Sequence, residues 1–109
     1  MGMVIRRFDV LLVALDPTVG SEMRKTRPCL VVSPDQFNRN LQTVLVAPLT
    51  TRSRSYPFRA PCRFQGKSGQ VALDQMRAVD RSRLVKRLGR FGGKAQSRVL
   101  QILQQMFAP

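Results

Sequence analysis

The 109-residue chain has no histidine and no tryptophan, one tyrosine, two cysteines and six acidic residues. Each shortage removes a class of function. Without an imidazole there is no histidine general base, general acid or metal ligand, so a Ser-His-Asp hydrolase is excluded. Cys29 and Cys62 are too few for a disulfide framework or a zinc site. Cys29 lies in an apolar run and is expected to be a reduced core thiol. The longest apolar run, "VLLVAL" at 10–15, falls far short of the ~20 residues that span a bilayer. It is also too short for a signal-peptide core, and it ends in Asp16-Pro17, with no small-residue cleavage site. Arg6 stands where a myristoylation signal requires Ser or Thr. A cytoplasmic protein with no membrane partner is the expectation.

What is abundant is positive charge. Nineteen Lys and Arg against six Asp and Glu leave a formal net charge of +13, a field that predicts an anionic partner. Nucleic acid comes first, because phosphates release counterions as they meet basic groups. An acidic protein comes second and is compatible with the first. Anionic membrane comes third, since no basic stretch has the length and amphipathicity of a surface helix. Hydrophobic residues make up 43% and aromatics only 6%, so residues 1–109 are expected to form a single domain whose core rests on Val and Leu.

Short β runs separated by turn signals predict a mainly β fold. The candidates are 8–15, 28–33, 43–49, 56–64 and 69–79, with Pro48, Pro57 and Pro61 pushing their segments toward edges or bulges. "SPDQFN" predicts a helical turn capped by Ser33, with Pro34 at its first position and Gln36 completing a capping box. "DRSRLVKRL" at 80–88 reads as a helix capped by Asp80. Val99, Ile102, Leu103, Met106 and Phe107 fall on one helical face, which predicts a C-terminal helix whose apolar side packs in the core or a dimer. The class is mainly β (α+β) with short helices and a C-terminal helix. Pattern alone leaves barrel and sandwich open.

Two polar clusters carry the chemistry. "DPTVGSEMRKTR" at 16–27 and "TTRSRS" at 50–55 present Arg24, Lys25, Arg27, Arg52 and Arg54 beside Thr50, Thr51, Ser53 and Ser55. Guanidinium forks and hydroxyl donors in this mixture suit backbone phosphates. RNA cleavage needs no metal, because the 2′-OH is an internal nucleophile already close to phosphorus. The protein must supply a base, donors to the phosphorane oxygens, and positive charge. Glu22 or Asp74 suits the first role, Thr50 the second and Arg27 the third. Asp74 suits equally a structural role accepting loop amides. Tyr56 and Phe58 are the aromatics nearest the clusters, with Phe58 expected in the core and Tyr56 available for stacking. The basic residues of 77–98 read as a solvated surface, an RNA track, or both.

The same residues carry a family resemblance. "RRFDVLLVALDPTVGSEMRKTRPCLVVSPDQFN", "VLVAPLTTRSRSYPF" and "GQVALDQMRAVD" resemble, in register over residues 7–80, the signatures of the MazF/PemK toxins of bacterial toxin–antitoxin modules. Residues 81–109 match only as a helical end. The resemblance implies an SH3-like small β-barrel and a homodimer. It implies a metal-independent, cofactor-free, sequence-specific endoribonuclease that cuts single-stranded RNA, leaving a 2′,3′-cyclic phosphate and a 5′-hydroxyl. It also implies an acidic, partly disordered antitoxin, through which alone the complex would meet DNA. Arg27 and Thr50 fall on the family arginine and threonine, Glu22 on its loop glutamate, and Asp74 and Gln75 on its Asp-Gln pair. Arg24, Lys25, Thr51, Arg52, Ser53, Arg54, Tyr56 and Gln75 are the expected RNA-binding set. Two departures stand out: Phe8 replaces the glycine of an Arg-Gly-Asp, and Ala72 replaces an arginine that some relatives carry two residues before the aspartate. The competing reading is a non-catalytic nucleic-acid-binding barrel, or a gyrase-directed toxin of the same fold.

Overall fold

A computed structural model describes residues 3–52 and 56–109. The predicted Ser53 and Arg54 contacts lie outside the described residues. The strands are β1 (Asp9–Ala14), β2 (Thr26–Val31), β3 (Thr43–Thr50), β4 (Arg59–Phe64), β5 (Lys67–Ala72), β6 (Arg77–Asp80) and β7 (Leu84–Arg90), with helices α1 (Asp35–Asn40) and α2 (Gly93–Phe107). All recorded pairings are antiparallel, in the order β4-β5-β3-β2-β1-β7, and β6 pairs the other end of β3. The mainly β class with a C-terminal helix is as expected. Among the described residues the sheet does not close into a ring.

Side chains alternate strictly along the central strands, and both faces are buried. Val10, Leu30 and Ala47 join one cluster, against which α2 lays Val99, Ile102, Leu103 and Met106. Leu11, Val13, Cys29, Val31, Val44 and Val46 join a second. A strand buried on both faces reads as a continuous apolar run, which is how β1 to β3 look in the sequence. Burying each such side chain contributes about 1.5–3 kcal/mol. No helix among the described residues is long and apolar enough to cross a membrane.

Pro48 is not at an edge but in central β3. On one side β3 pairs β6 through Thr43–Val46 and then β5 through Leu49 and Thr50, and Pro48 lies between these two ladders, where a missing N–H costs least. Pro61 does lie on an outer strand, and Pro57 precedes it. The 69–79 run is two strands, broken by a 3₁₀ turn at Leu73–Gln75.

The helix expected over 80–88 is absent. Asp80 accepts from Ser82 N at 2.8 Å and caps a single 3₁₀ turn, after which Leu84–Arg90 runs as a strand along β1. The exposed backbone edge of a buried strand needs partners, and that requirement outweighs the narrow apolar face of the segment. Nor does Ser33 cap α1. Pro34 holds the cap position, while the buried Ser33 hydroxyl donates to Asn38 Oδ1 and accepts from Leu45 N.

Many of the 77–98 arginines are braces and not a free RNA track. Arg77 donates to Leu15 O, Arg81 to Leu41 O, and Arg83 to Ala14 O and Asp16 O. Arg87 and Arg90 reach Asp9, whose carboxylate is fully buried, at 3.1 and 3.2 Å.

Phe8 occupies a left-handed conformation, φ 74°, with its ring in the core. A glycine there would relieve about 1 kcal/mol of strain but forfeit the ring. Phe8→Ala forfeits the ring and keeps the strain, a loss of about 3–5 kcal/mol. In urea unfolding, Phe8→Gly is therefore expected to be the more stable of the two variants, by about 1 kcal/mol, and both to be weaker than wild type. An alanine variant as stable as the glycine variant would contradict the strain.

Candidate RNA-cleavage site

The β2–β3 register pairs Cys29 with Pro48, Leu30 with Ala47 and Val31 with Val46. Continued two residues past its last recorded pair, it sets Arg27 across from Thr50. Opposed residues of antiparallel strands project to the same side. Arg27 and Thr50 accordingly line one cleft of about 340 Å³ with Ser21, Glu22, Met23, Arg24 and Arg52. Three guanidinium groups face a single carboxylate in it.

The Arg27 guanidinium is aimed by its own loop. Nε donates to Arg24 O at 3.1 Å and Nη1 to Met23 Sδ at 3.5 Å, and among the described residues it forms no salt bridge. Its charge is therefore left for a ligand. Thr50 Oγ1 accepts from Arg52 N at 3.2 Å, which occupies a lone pair and leaves the hydroxyl proton to donate. The Thr50 backbone is packed from behind by Gly69 of β5, where a Cβ would lie 2.3 Å from Thr50 O. Glu22 Oε1 accepts from Val19 N at 2.6 Å, so the glutamate both ties the loop and lines the cleft.

A second cleft of about 390 Å³ adjoins the first. Ser21, Met23, Thr50 and Arg52 are common to both, and Tyr56, Arg59, Asp74 and Gln75 complete its lining. Gln75 Oε1 accepts from Met23 N at 3.3 Å and ties the 3₁₀ turn to the first loop. Asp74 is held by Arg59 in a bidentate ion pair, Nε to Oδ1 at 2.6 Å and Nη2 to Oδ2 at 3.0 Å. Both carboxylate oxygens are engaged, the arrangement of a positioned anion more than of a base awaiting a proton. The pairing raises the Arg59 pKa above its ordinary value.

Arg59 and Met23 are the residues that sequence reasoning missed. Arg59 is the direct cross-strand partner of Ala72, so the guanidinium absent from position 72 is supplied to Asp74 by the neighbouring strand. The trace in the sequence is slight: the Gln65-Gly66 pair forms a two-residue hairpin turn, with φ 52° and 76°, and only once that turn is known does counting outward pair 59 with 72.

Of the other expected contacts, Thr51 lines a third cleft with Thr50, Cys62 and Gly69. Lys25 is exposed at φ 66° and lines none of these clefts. Phe58 is exposed and not in the core. Burial pushes the Cys29 thiol up to about 12 and raises that of Cys62, so neither supplies a thiolate at neutral pH.

Known proteins share this arrangement of strands and signatures. The family model for the PemK-like, MazF-like toxin of type II toxin–antitoxin systems matches residues 6–107. The Escherichia coli endoribonuclease toxin MazF is 37% identical over 71 residues, a match covering 65% of this chain and 64% of that protein, a little under two thirds of its length. The Escherichia coli endoribonuclease PemK is 36% identical over 102 residues, covering 88% of this chain and 77% of PemK. The crystal structure of Deinococcus radiodurans MazF superposes with a TM-score of 0.83 at 28% identity, over 95% of this chain and 96% of that one.

Proposed function

The chain belongs to the PemK-like, MazF-like toxin family of type II toxin–antitoxin systems, and from that premise we propose that it is a sequence-specific endoribonuclease cutting single-stranded RNA without a metal ion. The observation that carries the proposal is the convergence of Arg27, Thr50 and Glu22 on one cleft from β2, β3 and the loop between β1 and β2.

The scissile phosphate sits between Arg27 and Thr50. The 2′-oxygen attacks phosphorus and its proton passes to the Glu22 carboxylate. As the phosphorane forms, Arg27 meets its growing negative charge and the Thr50 hydroxyl donates to a non-bridging oxygen. The P–O5′ bond breaks, the 5′-oxygen takes a proton from water, the hydroxide so formed recovers the proton held by Glu22, and a 2′,3′-cyclic phosphate remains. Arg27 acts as a fixed charge, since a guanidinium holds its proton too tightly to serve as a general acid. Asp74, tied to Arg59, serves the RNA-binding wall.

The toxin works in the cytoplasm as a homodimer. An acidic antitoxin with a flexible segment covers the basic cleft, for which a net charge of +13 supplies the attraction. Contact with DNA comes through that partner.

Incubation with mixed-sequence RNA in EDTA, followed by mapping of the ends, tests the proposal. Discrete cuts with 5′-hydroxyl ends are expected. A folded protein that leaves the RNA intact refutes the nuclease and favours a binding or gyrase-directed role. In the same assay Thr50→Val is expected to slow cleavage about 100-fold or more while RNA affinity stays within about tenfold, because its hydrogen bond is made in the transition state. Loss of affinity in step with rate would instead make Thr50 a ground-state binding residue.

A further inference from the structure

The cleft that Arg59 closes is built differently from the one that holds Arg27. The Arg59 side chain is only 7% exposed, yet its guanidinium touches two groups that do reach the cleft. One is Asp74, one third exposed and bound in bidentate fashion. The other is Tyr56, half-exposed, whose ring centroid lies 5.0 Å from the guanidinium carbon. Removing Arg59 would take one contact from each of them.

Each surviving group has a defined offer to a ligand. A carboxylate is an acceptor, and each oxygen keeps a lone pair after one guanidinium bond. An aromatic ring backed by a cation is a stacking platform for any base. Gln75 has its carbonyl engaged by Met23 N and retains an amide donor. A flat ligand carrying a hydrogen-bond donor on its edge fits this set, in a cleft of about 390 Å³ that shares Thr50 with the cleavage site. Cytosine offers such a donor at N4, where uracil presents an acceptor.

We propose that Tyr56, Asp74 and Arg59 form a subsite for a single nucleobase bearing an exocyclic amino group, with Tyr56 stacking, Asp74 accepting, and Arg59 as the positioning residue that fixes both. The subsite rests on reading the adjoining cleft as an RNA site. It makes the base beside the cut an amino-bearing one.

Tyr56 is the only tyrosine and there is no tryptophan, so intrinsic emission reports on this ring alone. The experiment titrates wild type with short, non-cleavable 2′-O-methyl oligocytidine and oligouridine while following tyrosine emission, and runs RNA cleavage in parallel. Saturable quenching is expected, with oligocytidine binding about tenfold tighter than oligouridine. Arg59→Met should lose both the quenching and the preference, although RNA is still retained through the Arg27 cleft. Asp74→Asn should keep the quenching and lose the preference, and it carries the decision if Arg59→Met does not fold. Arg27→Ala should weaken binding of both oligomers alike and keep the preference between them. Absent quenching in wild type, equal affinity for the two oligomers, or a preference untouched by Asp74→Asn would overturn the subsite. Wild type that quenches with preference but does not cleave would refute the nuclease and uphold the subsite.

Discussion

Arg27→Ala is expected to yield a folded protein that no longer cuts RNA. The guanidinium is half-buried, and its recorded contacts are with a carbonyl of its own loop and a thioether, so truncation should cost stability at most about 1 kcal/mol. Its effect on the reaction is of another order. A fixed charge facing a phosphorane in a cleft partly shielded from water contributes about 10³-fold or more, and Arg27, unlike the loop-borne Arg24 and Arg52 of the same cleft, is a strand residue that the continued register sets across from Thr50. Lysine at this position should recover only part of the rate, since it lacks the planar fork. The measurement is the initial rate of cleavage in EDTA beside a thermal melt. A variant that cleaves within tenfold of wild type would remove Arg27 from the chemistry, and one that fails to fold would make it structural.

Asp9→Ala should leave catalytic groups untouched and damage the fold instead. The buried Asp9 carboxylate binds Arg87, Arg90 and the backbone N–H of Arg6 at 2.9 Å, and so fastens β7 and the N-terminal segment to β1. Breaking a buried pair costs about 3–5 kcal/mol in general. Here both arginine side chains are about 40% exposed and can return to water, which moves the expectation to about 3 kcal/mol and a melting temperature lower by about 10–20 °C. Arg87→Ala should cost far less than Asp9→Ala, because Arg90 still pairs the carboxylate. Equal losses from both variants would show that the strand contact matters and the charge does not.

The periodic parts of the chain were readable in advance. Apolar runs bounded by turn signals at 8–15, 28–33 and 43–49 located the central strands, and the spacing of Val99, Ile102, Leu103, Met106 and Phe107 located α2, although Phe107 at the helix end is exposed. Segment 84–90 was misread since its residues are mostly exposed, and an edge strand leaves little hydrophobic imprint. What recruits it is the unpaired edge of β1, a property of the assembled sheet. Arg27, Thr50 and Glu22 were chosen as candidates from residue chemistry, and the structure brings them to one cleft. Arg59 was not, because its partner Asp74 lies across a hairpin whose register must be counted from the Gln65-Gly66 turn.

Arg27 stands at the start of β2 and Thr50 at the end of β3, both locked by ladder register, whereas Glu22, Arg24 and Arg52 stand on loops and Tyr56 just ahead of β4. A loop can lengthen, shorten or change its side chains without disturbing a strand pairing. On the proposed reading, the strand-borne pair Arg27 and Thr50 and the loop residues that surround it, the Glu22 base among them, are thereby carried by separate parts of the chain. On that reading, a change in the loops can alter which RNA the cleft accepts while Arg27 and Thr50 keep their places in the ladders.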